Sequence, residues 1–230
     1  MYDNVKYYLI LIAILVCSIC VGCSSQDDAN TNTVFQIERT KIPVDTISQI
    51  LAVESIGDSL YFDVVIGMHH VPGKGFFVSM LGERKILHLG DDLKPVNIIG
   101  KPGEGPGELS YPAHIISHFD SLYVADGRII EVYTLLGKYI RSFNMPMYDE
   151  VFGVMENYVY AGTKSERNPI SKIGLNGEVI FGFGEWRHSD KEGYYRVLNS
   201  RFVKPLISET LVSVIMTEPI IEIYSPQGQL

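Results

Sequence analysis

The chain has 230 residues, 46% of them apolar, which is enough for a real core and excludes disorder along its whole length. Its 14 tyrosines and 10 phenylalanines favour strands over helices. With 27 acidic against 19 basic side chains the net charge is −8, which excludes the basic face that nucleic-acid binders usually carry, so no nucleic-acid partner is expected.

At the amino terminus Lys6 precedes an apolar run over residues 7–21. A run of about 15 residues suits the core of a signal peptide and is short for a membrane-spanning helix. The run ends in Cys20-Val21-Gly22-Cys23, which resembles the lipobox of bacterial lipoproteins, with Cys20 where leucine is usual. The resemblance implies that residues 1–22 are a lipoprotein signal peptide and that Cys23 is acylated, anchoring the mature chain to a membrane. Cys17, Cys20 and Cys23 are the only cysteines. Two of them lie in the apolar segment expected to be removed, where thiolate ligands would be costly to bury, so their spacing predicts no metal site. No disulfide can form within the mature chain, and its stability must come from packing.

Residues 23–33 carry no apolar periodicity and read as a flexible polar tether. Its Asp27-Asp28 pair is similar to the signals that send lipoproteins of Bacteroidetes-type bacteria to the cell surface, and equally suits a solvated spacer. The expected location is the outer membrane or the cell surface.

From Val34 onward apolar and polar residues alternate over short distances, as in residues 34–38 and 60–66, and these read as strands. Residues 47–56 suit a short helix. An internal repeat then organises the chain. Its landmark is a strand, a turn and a second strand: residues 85–89 with 96–99, 131–133 with 139–141, 171–173 with 179–181, and 221–224 followed by Leu230. Asn176-Gly177 is the best hairpin dipeptide, since both residues tolerate the positive φ of a tight type I′ turn. Two further β-prone runs precede each landmark, so each unit holds four strands. The turns are spaced by 43, 40 and 51 residues at Lys94, Gly137, Gly177 and Gly228. That period suits the four-stranded antiparallel blade of a β-propeller, whereas a β-sandwich or barrel predicts alternation without a fixed period.

The stretch 99–143 shows one blade most clearly. Its glycine-rich run, residues 100–109, leads through Tyr111-Pro112 to Leu122-Tyr123-Val124-Ala125-Asp126 and resembles the NHL repeat. It is also similar to the TolB-like six-bladed propeller lipoproteins of Bacteroides, with a loose likeness over residues 60–230. The resemblance implies an all-β propeller domain over residues 34–230, with about four of six blades present. The fourth unit stops at Leu230 where its outer strand should begin, so the expectation is a fragment of a six-bladed parent lacking roughly 90 residues.

No catalytic set, cofactor site or metal site is read from the residues. The glycines serve a sharp bend between blades, and Glu104 and Glu108 would repel a phosphate from the loop. His114 and His118 would lie about 13 Å apart along a strand, too far for one zinc ion, and His69-His70 alternate between faces. Asp126 with Arg128 reads as a structural ion pair at a blade turn. Trp186, beside Arg187 and His188, reads as packing in an inter-blade loop. Two functions stay open: a lipid-anchored scaffold presenting a propeller face to a protein, peptide or glycan, or a propeller enzyme of the metal-dependent lyase or lactonase kind.

Overall fold

The computed structural model describes residues 34–36, 55–56, 60–61, 64–145, 148–163, 168–186, 200–207, 209–218 and 220–230. The segments expected to be signal peptide and tether, Cys23, most of residues 47–56, and Arg187 with His188 lie outside them. Ser55 and Ile56, assigned to a helix from sequence, are instead in a short strand.

The described elements are strands in chain order. They are β1 (Val34–Gln36), β2 (Ser55–Ile56), β3 (Leu60–Tyr61), β4 (Val65–Val71), β5 (Gly75–Met80), β6 (Lys85–Leu89), β7 (Pro95–Ile99), β8 (Pro112–His118) and β9 (Ser121–Asp126). Then follow β10 (Ile129–Thr134), β11 (Tyr139–Asn144), β12 (Tyr148–Met155), β13 (Tyr158–Thr163), β14 (Ile170–Gly174), β15 (Val179–Phe183), β16 (Arg201–Ile207), β17 (Thr210–Ile215) and β18 (Ile220–Tyr224). No helix long and apolar enough to cross a membrane occurs among the described residues.

Four antiparallel four-stranded sheets form a four-blade propeller. Blade 1 is β4-β5-β6-β7, blade 2 is β8-β9-β10-β11 and blade 3 is β12-β13-β14-β15. Blade 4 runs β16-β17-β18 and then β1. The outer strand expected to be missing after Leu230 is thus supplied from the other end of the domain, with Phe35 opposite Ile221 and Val34 opposite Glu222. The inner strands pack in succession, β4 on β8, β8 on β12 and β12 on β16.

Three clusters of buried side chains glue neighbouring blades face to face. Phe77, Ile86 and Ile99 of blade 1 meet Ile115, Leu122, Val124 and Tyr133 of blade 2. Tyr123, Ile130, Val132 and Phe143 of blade 2 meet Phe152, Val154, Val159 and Ile173 of blade 3. Met155, Tyr160 and Phe183 of blade 3 meet Val203, Leu211 and Tyr224 of blade 4. A blade between two others must be apolar on both faces, which is why β9 and β10 read as near-continuous buried runs instead of alternating.

The hairpins closing the four blades share one geometry. In each, the first turn residue donates its N–H to the carbonyl four positions on: Gly90 to Lys94, Thr134 to Lys138, Gly174 to Glu178 and Ser225 to Gln229, all at 2.8 Å. The fourth turn residue adopts positive φ in every case, as Leu93, Gly137, Gly177 and Gly228. Asn176 is not in that region, so this is not the type I′ turn expected of Asn176-Gly177. It is the longer hairpin in which one left-handed residue makes a bulge, matched by register shifts beside the turn in blades 1, 2 and 3.

Candidate functional site

Two places gather polar side chains: the inner strands around the central channel, and the glycine-rich loop between blades 1 and 2. At the channel His69 of β4 reaches across to blade 2, where its Nε2 lies 2.8 Å from Ser117 Oγ of β8. Next along β8 is His114, in the irregular stretch where the pairing with β9 shifts between Pro112 and Ile115. Bulges of this kind re-aim side chains. The ring of His114 stands edge-on to Phe152 of blade 3 at 5.2 Å. It shares a backbone hydrogen bond with Phe152, and its Nε2 is buried with no hydrogen-bond partner.

Burial drives the pKa of His114 down to about 4, and Lys204 of β16 pushes the same way. His69 is also lowered, by burial first and then by Lys204. One exposed ammonium from blade 4 therefore acts on imidazoles of blades 1 and 2. His69, His114, Ser117 and Lys204 form a constellation built by three blades, in which both imidazoles favour the neutral form. Along their own strands, all that the sequence displays, His69-His70 and His114 with His118 make no site. Their true neighbours come from other blades.

Two histidines read from the sequence stand apart from this group, His70 because it falls on the opposite face of β4 from His69. His70 turns to Asp91, 3.1 Å away, while His118 bonds the Glu156 carbonyl at 2.9 Å. Among the described residues no group of three or more His, Cys, Asp or Glu is arranged to hold a metal.

The loop over residues 100–111 is closed on itself. Lys101 accepts from the Leu109 N–H at 2.8 Å, and the Gly103 N–H reaches the Leu109 carbonyl at 3.1 Å. Glu108 folds its carboxylate into the loop, accepting from the Gly105 N–H at 2.9 Å and pairing with Lys101 at 3.0 Å. Those two partners hold its pKa below the ordinary carboxylate value. A Cβ on Gly103 would collide with that carboxylate, and one on Gly105 would press on it. The loop's interior is filled by the protein's own anion, which extends the repulsion of phosphate expected from sequence.

Asp126 corrects an expectation. It does not pair with Arg128, which is exposed. Its carboxylate accepts from the Ser110 N–H at 2.9 Å and from the Tyr111 N–H, and so pins the end of the loop to blade 2. An aspartate that can take two adjacent backbone donors is better satisfied there than by a solvated cation at the turn. Trp186 is half-buried in the connection from blade 3 to blade 4.

No family model matches the chain, and no curated protein matches it in sequence. Its fold is similar to that of a protein of unknown function from Bacteroides thetaiotaomicron, at 12% identity and a TM-score of 0.50 over 74% of this chain and 43% of that one. It is also similar to a Bacteroides fragilis protein provisionally named as exported, at 10% identity and a TM-score of 0.48 over 77% and 73% of the two chains. Virginiamycin B lyase of Staphylococcus aureus matches at 15% identity and a TM-score of 0.49, over 71% of this chain and 53% of the lyase. The chain spans about half the length of the first and the last of these, and at such identities the likeness shows the fold alone.

Proposed function

We propose that the chain is a lipid-anchored propeller of the cell envelope that works as a binding scaffold. It is exported by its signal peptide, held at the outer membrane or cell surface through Cys23, and docks a protein, peptide or glycan ligand at the channel. The observation that carries this reading is the convergence of His69, His114 and Lys204 from three blades. A histidine with a pKa of about 4 is neutral and a weak base at neutral pH, so the exposed Lys204 ammonium is the one charge of the group that faces a ligand. It offers a donor to a hydroxyl or a carbonyl oxygen. Glycans and peptides carry such groups. A lyase or lactonase would need a base poised nearer its working pH, which favours the scaffold.

The lipobox at Cys23 and the Asp27-Asp28 pair support the anchor. In the same reading the four blades belong to a six-bladed ring of the TolB-like and NHL-like kind. The half-buried Val212, Val214, Ile221 and Ile223 on the far face of blade 4 support a further blade packed there. The mass of the native protein tests the six-blade element.

Screening the full chain in detergent against glycan and peptide arrays tests the scaffold. Ligands found should lose at least about tenfold in affinity in His114→Ala and Lys204→Ala and keep it in His118→Ala. Equal binding by all three variants would remove the channel from the reading. Labelled palmitate should enter the wild-type chain in the bacterial envelope and not Cys23→Ser.

A further inference from the structure

Blades 2 and 4 repeat a local motif that the other two lack. Counting back from the hairpin turns, Glu131-Val132-Tyr133 of β10 superposes in register on Glu222-Ile223-Tyr224 of β18, where blades 1 and 3 carry Leu87 to Leu89 and Ser171 to Ile173. The likeness extends to the connection that enters each blade. Gly100 precedes blade 2 at φ 75° and Gly184 precedes blade 4 at φ 81°. Each lies over the tyrosine hydroxyl of the blade that follows: a Cβ there would stand 3.4 Å from Tyr133 Oη and 3.2 Å from Tyr224 Oη.

In blade 4 this slot is filled by a cation of the protein itself. Arg201, fully buried at the start of β16, donates to Glu222 Oε2, and its second nitrogen reaches the Glu185 carbonyl of the incoming connection at 2.7 Å. Tyr224 Oη also donates to Glu222 Oε2, at 2.9 Å. In blade 2 the residue in register with Arg201 is Pro112, and Ile215 beside it is replaced by Asp126. The slot therefore has one carboxylate more and the guanidinium less. Glu131 and Asp126 are 4% and 6% exposed, and no ion pair reaches either among the described residues. Glu131 accepts the Gly107 N–H, yet its Oε2 and the Tyr133 hydroxyl are buried with no hydrogen-bond partner.

We propose that blade 2 binds a hard inorganic cation, calcium foremost, between Glu131, Tyr133 and Asp126 under the glycine-rich loop, in the place where blade 4 puts the Arg201 guanidinium. Buried anionic oxygens need a partner of opposite charge, and an oxygen-only set suits calcium, which tolerates irregular geometry. Because Glu131 holds Gly107 and Asp126 holds Ser110 and Tyr111, the ion would lock the loop onto the blade.

The test is thermal unfolding of the full chain after dialysis against EDTA, with CaCl2, MgCl2 or NaCl added alone, and calorimetric titration of CaCl2. Calcium at about 100 times its Kd should raise the wild-type Tm by about 5 °C, with one ion bound per chain. Glu131→Gln should lose the response. Pro112→Arg, which returns a guanidinium to the slot, should also lose it while unfolding at a higher Tm in EDTA. Should Glu131→Gln not fold, Tyr133→Phe serves in its place, with apparent calcium affinity weakened several-fold. A response to magnesium or sodium alone that these variants abolish supports the site with a smaller ion. Absence of any response in the wild type, or an undiminished response in the variants, overturns it.

Discussion

Blades 2 and 4 are built on the same register, and they differ in how each satisfies its buried glutamate and in what covers its faces. Blade 2 is enclosed: β9 and β10 bury residues pointing either way, between clusters shared with blades 1 and 3. Among the described residues, blade 4 is enclosed on one side only. Its β17 and β18 alternate, with Leu211, Ser213, Ile215, Glu222 and Tyr224 buried towards blade 3 and Val212, Val214, Ile221 and Ile223 half-exposed on the other face. The lesson is that a buried charge is tolerated in this repeat only with a local answer. Blade 4 answers with Arg201, and blade 2 leaves the question to its surroundings.

The largest expected effect separates the two answers. Arg201→Leu would take from the Glu222 carboxylate, 2% exposed, the guanidinium that donates to it, and should cost about 3–5 kcal/mol in urea unfolding. Glu131→Gln in blade 2 removes a charge that no cation among the described residues answers and should not destabilise in a chelating buffer. Comparable losses in both variants would break the distinction.

The two faces of blade 4 give the next contrast. Leu211→Ala opens a hole in the cluster shared with blade 3 and should cost about 2–5 kcal/mol. Val214→Ala on the opposite face should cost about 1 kcal/mol or less, since the side chain is already half in water. A Val214→Ala cost as large as that of Leu211→Ala would mean that the far face of blade 4 is covered in solution.

Glu131 also sets a pH dependence. Burial, and to a lesser degree the Asp126 charge, raise its pKa from 4.5 to about 7. The folded state then holds the proton more tightly than the unfolded chain. Its contribution is fully present below about pH 4.5 and is lost as pH rises to about 7, amounting to roughly 2–3 kcal/mol. In EDTA the wild type should lose stability across that window relative to Glu131→Gln, as followed by urea midpoints from pH 4.5 to 8. Parallel curves would show that the carboxyl is already answered by a group in the fold.

Much of this architecture was legible because a propeller writes itself as a period. The turn residues Lys94, Gly137, Gly177 and Gly228 recur with four apolar runs between them, and three of the four blades follow from that count alone. The outer strand of blade 4 did not, since Val34–Gln36 pairs with Ile220 to Glu222 from across nearly the whole domain, and no local pattern links them. The channel site was hidden for the same reason. His69, Ser117 and Lys204 lie 48 and 87 residues apart along the chain, and only blade packing gives the imidazoles their shared ammonium. The Glu-x-Tyr echo at Glu131 and Glu222 was visible in the sequence, but its meaning depends on Pro112 standing in register with Arg201, which only the strand pairing reveals.

The smallest effect tests the motif's last atom. Tyr224 Oη donates to a charged carboxylate at 2.9 Å, so Tyr224→Phe should cost about 1–2 kcal/mol, leaving Glu222 one donor poorer in a dry site. Tyr133 Oη has no partner among the described residues, and Tyr133→Phe in EDTA should be neutral or stabilising by a few tenths of a kcal/mol, because a buried hydroxyl without a bond is a net cost. The two rings are almost equally buried, at 1% and 2% exposure, so hydrophobic transfer cancels between the variants and the difference in urea midpoint isolates the hydroxyl. Equal losses would show that Tyr133 has found an acceptor, and the Glu131 carboxylate would be the first place to look for it.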